Sequence, residues 1–372
     1  MKFKNVATAG AILVASAIAL SGCSSSSTPE ATGTAASTAA AVDYSALSGT
    51  ITAGGSSAQA NAQAAWTTAF TAQAKGVTIN YDKSQGSGGG VTNWTAGSYD
   101  FAGSDSPLSK DQQTAATKCG PNGAINLPIY LDGVAIVYNL AGVDKLNLSA
   151  ETLAKIFSLA ITTWNDPAIA AENPDAKLPA TAITTVTRSD GSGTTKTFTN
   201  FLSQTAKDVW TYPADSAWPI AGTSAQKGTS GIVQAVEAGD GTIGYADHSA
   251  IGKLNAAAVS VKGTDFVSFS PDAVTAAFDK AASTTDTGIK GDLAQTVDFT
   301  AISGAEAYPI PLVSYGILCT TFADAKQKEL TTAYLGWIGS DIGQQVAAKN
   351  AGAAQIPEKL LTEIATSLAL VK

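Results

Sequence analysis

The chain has 372 residues, with 22 lysines and arginines against 30 aspartates and glutamates, for a formal charge of −8 at neutral pH. An acidic chain with one histidine and no basic patch lacks the electrostatic footprint of a protein that tracks a phosphate backbone, which argues against nucleic acid as a partner. Hydrophobic residues make up 45% of the sequence, enough for a sizeable core, and the length suggests two domains rather than one.

Residues 1–22 read as a secretion signal: Lys2 and Lys4, an apolar run from Val6 to Leu20, then Leu20-Ser21-Gly22-Cys23. The last four residues have a lipobox pattern, after which Cys23 would be acylated and become the first residue of the mature chain. A plain signal peptide or a membrane helix fits less well, because the run is shorter than the ~20 apolar residues needed to span a bilayer. Loss of Lys2 and Lys4 with the leader would move the formal charge from −8 to −10. Residues 23–46, dominated by Ser, Thr, Ala, Gly and Pro, cannot bury a core and read as a flexible tether.

Beyond the tether, β-rich and helical runs alternate. Gly49–Ala53 reads as a strand, and Ser57–Lys75 as a helix with Trp66 and Phe70 at helical spacing, stopping at Gly76. Val77–Tyr81 alternates like a strand, Val91 and Trp94 mark a short helix, and Tyr99–Gly103 is another strand. Two strands, Ala124–Tyr130 and Gly133–Asn139, come next. Ser149 then caps a helix bearing Leu153, Ile156 and Phe157. Ile183–Thr187 is a strand before a helix with Phe198, Phe201 and Leu202. Thr242–Ala246 and Tyr308–Leu318 are late strands, and the end from Asp324 is mostly helical. This alternation predicts an α/β fold with a mixed or parallel sheet.

Three loops share one design, in which a strand ends, a Gly/Ser/Thr stretch follows and a helix begins: Gly54-Gly55-Ser56-Ser57, Gln85-Gly86-Ser87-Gly88-Gly89-Gly90 and Asp190-Gly191-Ser192-Gly193-Thr194. Such loops aim free N–H groups and hydroxyls at whatever sits above the helix N-terminus, and they favour anions. Each also reads as an ordinary cap and turn. A fourth stretch, Lys227-Gly228-Thr229-Ser230-Gly231, is read as a cap and turn only. None is a P-loop, because no Gly-Lys-Ser/Thr follows at the required spacing.

Arg188 is the single arginine in the chain and directly precedes the third loop. Its planar fork of donors matches the paired oxygens of an oxyanion in a way lysine cannot. A structural salt bridge to Asp190 is the alternative reading. Asp105, in Asp100-Phe101-Ala102-Gly103-Ser104-Asp105-Ser106-Pro107, also follows a strand. A carboxylate beside an anion makes sense if the anion carries a proton, since an ionised carboxylate accepts that hydrogen bond and a fully deprotonated sulfate offers none. One obligatory hydrogen bond can discriminate by ~10⁴ to 10⁵.

Of three cysteines, Cys119 and Cys319 remain if Cys23 is acylated, and in an oxidising compartment a disulfide is expected; two buried thiols are the alternative. No zinc spacing is present. The lone His248, in Tyr245-Ala246-Asp247-His248, lacks motif support as a catalytic base and reads as a surface or cap residue. Without a base, a phosphatase or serine hydrolase acting through Ser87 or Ser192 is the weaker enzyme alternative. A purely adhesive surface protein would need no anion loops.

The stretches Ala53-Gly54-Gly55-Ser56-Ser57-Ala58, Gly86-Ser87-Gly88-Gly89-Gly90-Val91, Asp100 to Ser109 and Arg188-Ser189-Asp190-Gly191-Ser192-Gly193-Thr194 together resemble the phosphate-binding proteins of phosphate-specific ABC importers. The lipobox and cysteine pair resemble the actinobacterial lipoprotein branch. Ile161 to Ile169, Trp218-Pro219-Ile220 and Gly241 to Tyr245 are secondary matches, and the resemblance runs from about Thr50 to the end.

The resemblance implies a two-lobed periplasmic-binding-protein fold of class II type with the ligand in the cleft. Residues 47–130 and 306–372 would form one lobe and 131–305 the other. It implies phosphate ligands at Ser57, Ala58 (through its backbone N–H), Ser87, Asp105, Arg188, Ser192, Gly193 and Thr194, with Asp190 orienting Arg188. The implied protein is a non-enzymatic monomer without cofactor or metal, lipid-anchored at the outer face of the cell membrane. It would deliver phosphate to permease subunits coupled to a cytoplasmic ATPase. A receptor for sulfate or another tetrahedral oxyanion is the alternative that Asp105 disfavours.

Overall fold

The computed structural model describes residues 43–372. The leader, the acylation site Cys23 and the tether up to residue 42 lie outside the described residues. Tyr44 packs its ring on Phe70, centroids 5.1 Å apart, so contact with the folded body begins inside the last part of the segment expected as tether.

The first elements in chain order are β1 (Ser48–Gly55), α1 (Ala60–Gln73), β2 (Gly76–Asp82), α2 (Gly86–Thr95), β3 (Phe101–Ser104), α3 (Lys110–Ala115), β4 (Ala124–Asn139), β5 (Asn147–Ser149), α4 (Ala150–Phe157) and α5 (Pro167–Glu172). Then follow β6 (Thr184–Arg188), α6 (Gly193–Thr205), β7 (Ser224–Gln226), α7 (Gly228–Ala238), β8 (Thr242–Asp247), β9 (Asn255–Ala256), β10 (Ala258–Ser260) and α8 (Pro271–Ala281). The chain ends with β11 (Ala282–Thr284), β12 (Gln295–Val297), β13 (Pro311–Cys319), α9 (Ala325–Ile338), α10 (Asp341–Ala351) and α11 (Glu358–Ala369).

One sheet organises the molecule, in the order β2-β1-β3-β13-β4-β8-β6-β7 with β9 beside β4. β1 is parallel to β2 and β3, and β6 to β7 and β8, whereas β13 and β8 each run antiparallel to β4. β4 changes partner along its length: Ala124 to Gly133 pair with β13, and Val134 to Asn139 with β8. The result is the expected two-lobed α/β architecture, with strand-to-helix loops of both sheet halves meeting near this switch.

The two strands predicted over 124–139 are therefore one strand of 16 residues. Asp132, whose polarity separates them in the sequence, is buried within it, its carboxylate accepting from the Gly133 N–H and the Tyr130 hydroxyl, each at 2.8 Å. The first helix begins at Ala60, not Ser57, because the Ser56 hydroxyl accepts from the N–H groups of Ala58 and Gln59 and holds a turn before it.

α1 buries Ala62, Gln63, Trp66 and Phe70 at spacings of three and four residues. Trp66 donates to the Gly343 carbonyl at 2.7 Å, and Phe70 meets Tyr334 and Trp337 of α9 edge-on. Burial of each such ring contributes about 1.5–3 kcal/mol. In the other sheet half, Phe157, Phe198, Trp218 and Tyr245 form one aromatic cluster.

Two elements not expected from the sequence are α8 and the β11–β12 hairpin. Ser270 caps α8 with Pro271 at its first position. The chain after α8 leans on the first sheet half, although it falls in the segment expected to belong to the second lobe: Asp292 accepts from the backbone and side chain of Asn126 at 2.7 and 2.9 Å. Cys319, at the end of β13, is bonded to Cys119, which resolves the cysteine alternatives in favour of the bridge.

Candidate anion-binding site

The first loop forms because β1 ends in Gly55, at φ +134°, where a β-carbon would lie 2.1 Å from the Gly103 carbonyl oxygen. Only glycine lets β1 and β3 run this close, and that brings Ser56 and Ser57 beside the end of β3. From there Asp105 reaches back, 5% exposed. Its Oδ1 accepts from the hydroxyls of Ser56 and Ser314, the latter at 2.6 Å. Its Oδ2 lies 3.4 Å from the Ser87 hydroxyl and 3.1 Å from that of Thr194. A carboxylate oxygen has two lone pairs: two close hydroxyls fill Oδ1, whereas Oδ2 has two longer contacts and is the oxygen turned toward Thr194 of the other lobe.

Ser87 lies in the first turn of α2, and its hydroxyl accepts from the Asp105 N–H at 3.1 Å. In the third loop Ser192 caps α6, accepting from the Thr195 N–H at 3.1 Å. Gly193 and Thr194 form the first turn of that helix, with positive helix-dipole character toward Asp105 and Ser87. The two lobes meet here: the Gly88 N–H donates to the Gly191 carbonyl at 2.9 Å.

Arg188 closes β6 and is buried at 3% exposure. Its Nε and Nη2 donate to the two carboxylate oxygens of Asp190, at 2.7 and 2.5 Å. The salt-bridge reading is therefore correct. It is also incomplete, because a guanidinium carries five N–H donors and this pairing engages two. Burial would raise the Asp190 carboxyl, but the hydrogen bonds and charge of Arg188, with the Gly228 N–H at 3.0 Å, hold it below its ordinary value. Tyr245 supports the strand from behind, accepting from the Arg188 N–H at 3.2 Å and pairing with the Thr195 hydroxyl at 2.7 Å. Burial pushes that phenol up to about 12.

The structure thus brings together Ser57, Ser87, Asp105, Arg188, Ser192, Gly193 and Thr194 from four loops. The Ala58 N–H, expected to face an anion, donates instead to Ser56 Oγ at 3.1 Å within its own turn. His248 stands apart, its ring stacked on Phe269 with centroids 3.4 Å apart, and burial lowers it to about 4. Among the described residues no hydrogen bond joins it to Ser87 or Ser192, and no group of three or more His, Cys, Asp or Glu is placed to hold a metal ion.

The family model for the PBP superfamily domain matches residues 28–341. Phosphate-binding protein PstS 3 of Mycobacterium tuberculosis is 34% identical over 377 residues, covering 99% of each chain. Its namesake in Mycobacterium leprae is 36% identical over 327 residues, covering 86% of each. The chain belongs to the PstS family of the PBP superfamily. A phosphate-binding protein from Stenotrophomonas maltophilia shares the fold, with TM-score 0.66 at 21% identity over 86% of this chain and 94% of that one.

In this PstS-family chain three further residues join the candidate site: Thr229, Ser56 and Ser314. The Thr229 stretch, read as a cap and turn, reaches across the cleft: Ser57 Oγ lies 2.9 Å from Thr229 Oγ1 and accepts from its N–H at 3.1 Å. Ser56, within the first loop, is a partner of Asp105 that spacing alone does not show. Ser314 sits in the apolar run of β13, and a polar residue inside such a strand was the one available signal. The register of β13 against β4 shifts between Ser314 and Tyr315, an irregularity of the kind that re-aims a side chain.

Proposed function

We propose that this protein is a non-enzymatic receptor that captures inorganic phosphate in the cleft between its lobes. The observation that carries the reading is Asp105, whose Oδ1 is filled by two hydroxyls of its own lobe while Oδ2 faces the first turn of α6. Oδ2 holds only the longer contacts, 3.4 Å to the Ser87 hydroxyl and 3.1 Å to that of Thr194, and an acceptor that can exchange these for the proton of a ligand suits an anion that brings its own. Phosphate does so at neutral pH, and sulfate does not. Ser57, Ser87, Arg188, Ser192, Gly193 and Thr194 supply the donors for the remaining oxygens, with Asp190 orienting Arg188. Ala58 would join only if its N–H left Ser56. Micromolar affinity needs about 8 kcal/mol, within reach of several charge-assisted hydrogen bonds from fixed donors.

Hinge closure about the partner switch in β4, between Gly133 and Val134, completes the site and distinguishes loaded from empty receptor. The named relatives support a place in phosphate uptake, with delivery to an ABC permease, and the Leu20-Ser21-Gly22-Cys23 pattern supports an anchor through an acylated Cys23 at the outer face of the cell membrane. The stacked His248 supports a receptor over a hydrolase.

Calorimetric titration with phosphate and with sulfate, after removal of endogenous ligand, tests the reading. Phosphate is expected to bind far more tightly, and Asp105→Asn, which adds a donor, to narrow the gap. Sulfate displacing phosphate at equal concentration would overturn the assignment. Turnover of a chromogenic phosphate ester that His248→Ala abolishes would show an enzyme instead.

A further inference from the structure

A buried line of hydrogen bonds runs from α9 to Asp105. The Tyr334 hydroxyl donates to Gln63 Oε1 at 3.0 Å, Gln63 Nε2 to Gln59 Oε1 at 2.8 Å, Gln59 Nε2 to Ser314 Oγ at 2.7 Å, and Ser314 Oγ to Asp105 Oδ1 at 2.6 Å. Tyr334, Gln59 and Ser314 are fully buried and Gln63 is 1% exposed. Two carboxamides in an apolar core are costly unless every polar atom is satisfied. Here they sit one helical turn apart on the face of α1 that otherwise buries Ala62, Trp66 and Phe70.

Chemistry fixes the direction of this line. Gln59 Nε2 also lies 3.0 Å from the Tyr315 carbonyl oxygen, which can only accept, so the nitrogen end of the amide faces Ser314. Ser314 receives that hydrogen bond and has a single proton to give, for which Asp105 Oδ1 at 2.6 Å is the near acceptor and the Ser104 carbonyl at 3.3 Å the far one. Gln59 Oε1 then accepts from Gln63, and Gln63 Oε1 from Tyr334. All four bonds point the same way, toward the carboxylate, and such aligned chains polarise one another.

We infer that Gln59 and Ser314 are positioning residues for anion specificity: they keep Asp105 Oδ1 saturated and its carboxylate from turning, so that reading the proton on the anion falls to Oδ2 alone. The inference rests on the phosphate reading above. Without the amide behind it, the Ser314 hydroxyl is free to turn its proton elsewhere. Oδ1 then competes with Oδ2 for the ligand and the carboxylate can turn, so the match to an anion protonated at one place is loosened.

The test is the ratio of sulfate to phosphate dissociation constants, with the thermal midpoint recorded alongside. Ser314→Ala removes one hydroxyl, and Gln59→Glu replaces the donating nitrogen with an acceptor of the same shape. Each is expected to narrow the ratio by about tenfold or more, and Tyr334→Phe, at the far end, by less than about threefold. A ratio unchanged in Ser314→Ala, with both anions weakened alike or only the midpoint lowered, means a merely structural role and overturns the inference while leaving the receptor reading intact. Failure of the unmodified protein to bind phosphate overturns both.

Discussion

Gly193 of one lobe is packed against Asp105 of the other so closely that a β-carbon on it would stand 2.6 Å from the Asp105 β-carbon and 2.7 Å from Ser87 Oγ. The helix that presents its N-terminus to the cleft can approach the carboxylate this closely only with glycine first. Gly193→Ala should therefore obstruct closure and leave each lobe intact. We expect phosphate affinity to fall by about tenfold or more, because the clash must be relieved by reopening. The thermal midpoint without ligand should barely move, and calorimetry beside a melting curve separates the two effects.

Arg188→Lys keeps the charge and loses the fork. Lysine cannot span both oxygens of Asp190 and also reach an anion with planar donors. Phosphate binding should weaken by about 2 kcal/mol, on the order of 30-fold. A Kd within threefold of the unmodified protein would mean that charge alone matters at this position.

What the sequence disclosed, and what it withheld, follows from how far apart partners lie. The glycine-rich turns at Gly54, Gly86 and Gly191, and the helical spacing of Trp66 with Phe70 or Phe198 with Leu202, are local patterns, and the structure builds on them. Asp132 misled because local polarity interrupted an apolar run, whereas its burial depends on Tyr130 and Ser249 around it. Thr229 and Ser314 could not be found from spacing at all: their partners Ser57 and Asp105 lie 172 and 209 residues away. Their functional setting exists only after the sheet has brought four loops to one edge.

The Cys119–Cys319 bridge closes a loop of 200 residues that includes the whole second sheet half. Cross-linking so distant a pair restricts the unfolded chain, and replacing both cysteines with alanine should cost about 2–5 kcal/mol of stability in urea. Ser314 lies five residues up β13 from Cys319, about 17 Å along the strand. The bridge should consequently matter for stability and not for binding: a phosphate Kd changed more than about threefold in the folded double variant would contradict this separation.

Two carboxylates, Asp132 and Asp247, are buried together beside the partner switch in β4, and no ion pair to either is found among the described residues. Tyr130 Oη lies 2.8 Å from Asp132 Oδ2 and 3.3 Å from Asp247 Oδ2, yet it has one proton to give. The second contact is favourable if Asp247 itself carries a proton. Burial pushes Asp132 up to about 6, and burial together with the Asp132 charge holds Asp247 well above the carboxylate range. The native state therefore binds protons that the unfolded chain, with carboxyls near ~3.9, has already released. Stability from this pair is fully present below about pH 4 and is lost as pH rises through about 6 and beyond. Asp247→Asn removes one charge and retains hydrogen-bonding capacity. Its thermal midpoint relative to the unmodified protein should rise steadily from pH 4 to pH 7, whereas parallel curves would show that the pair does not titrate in this range.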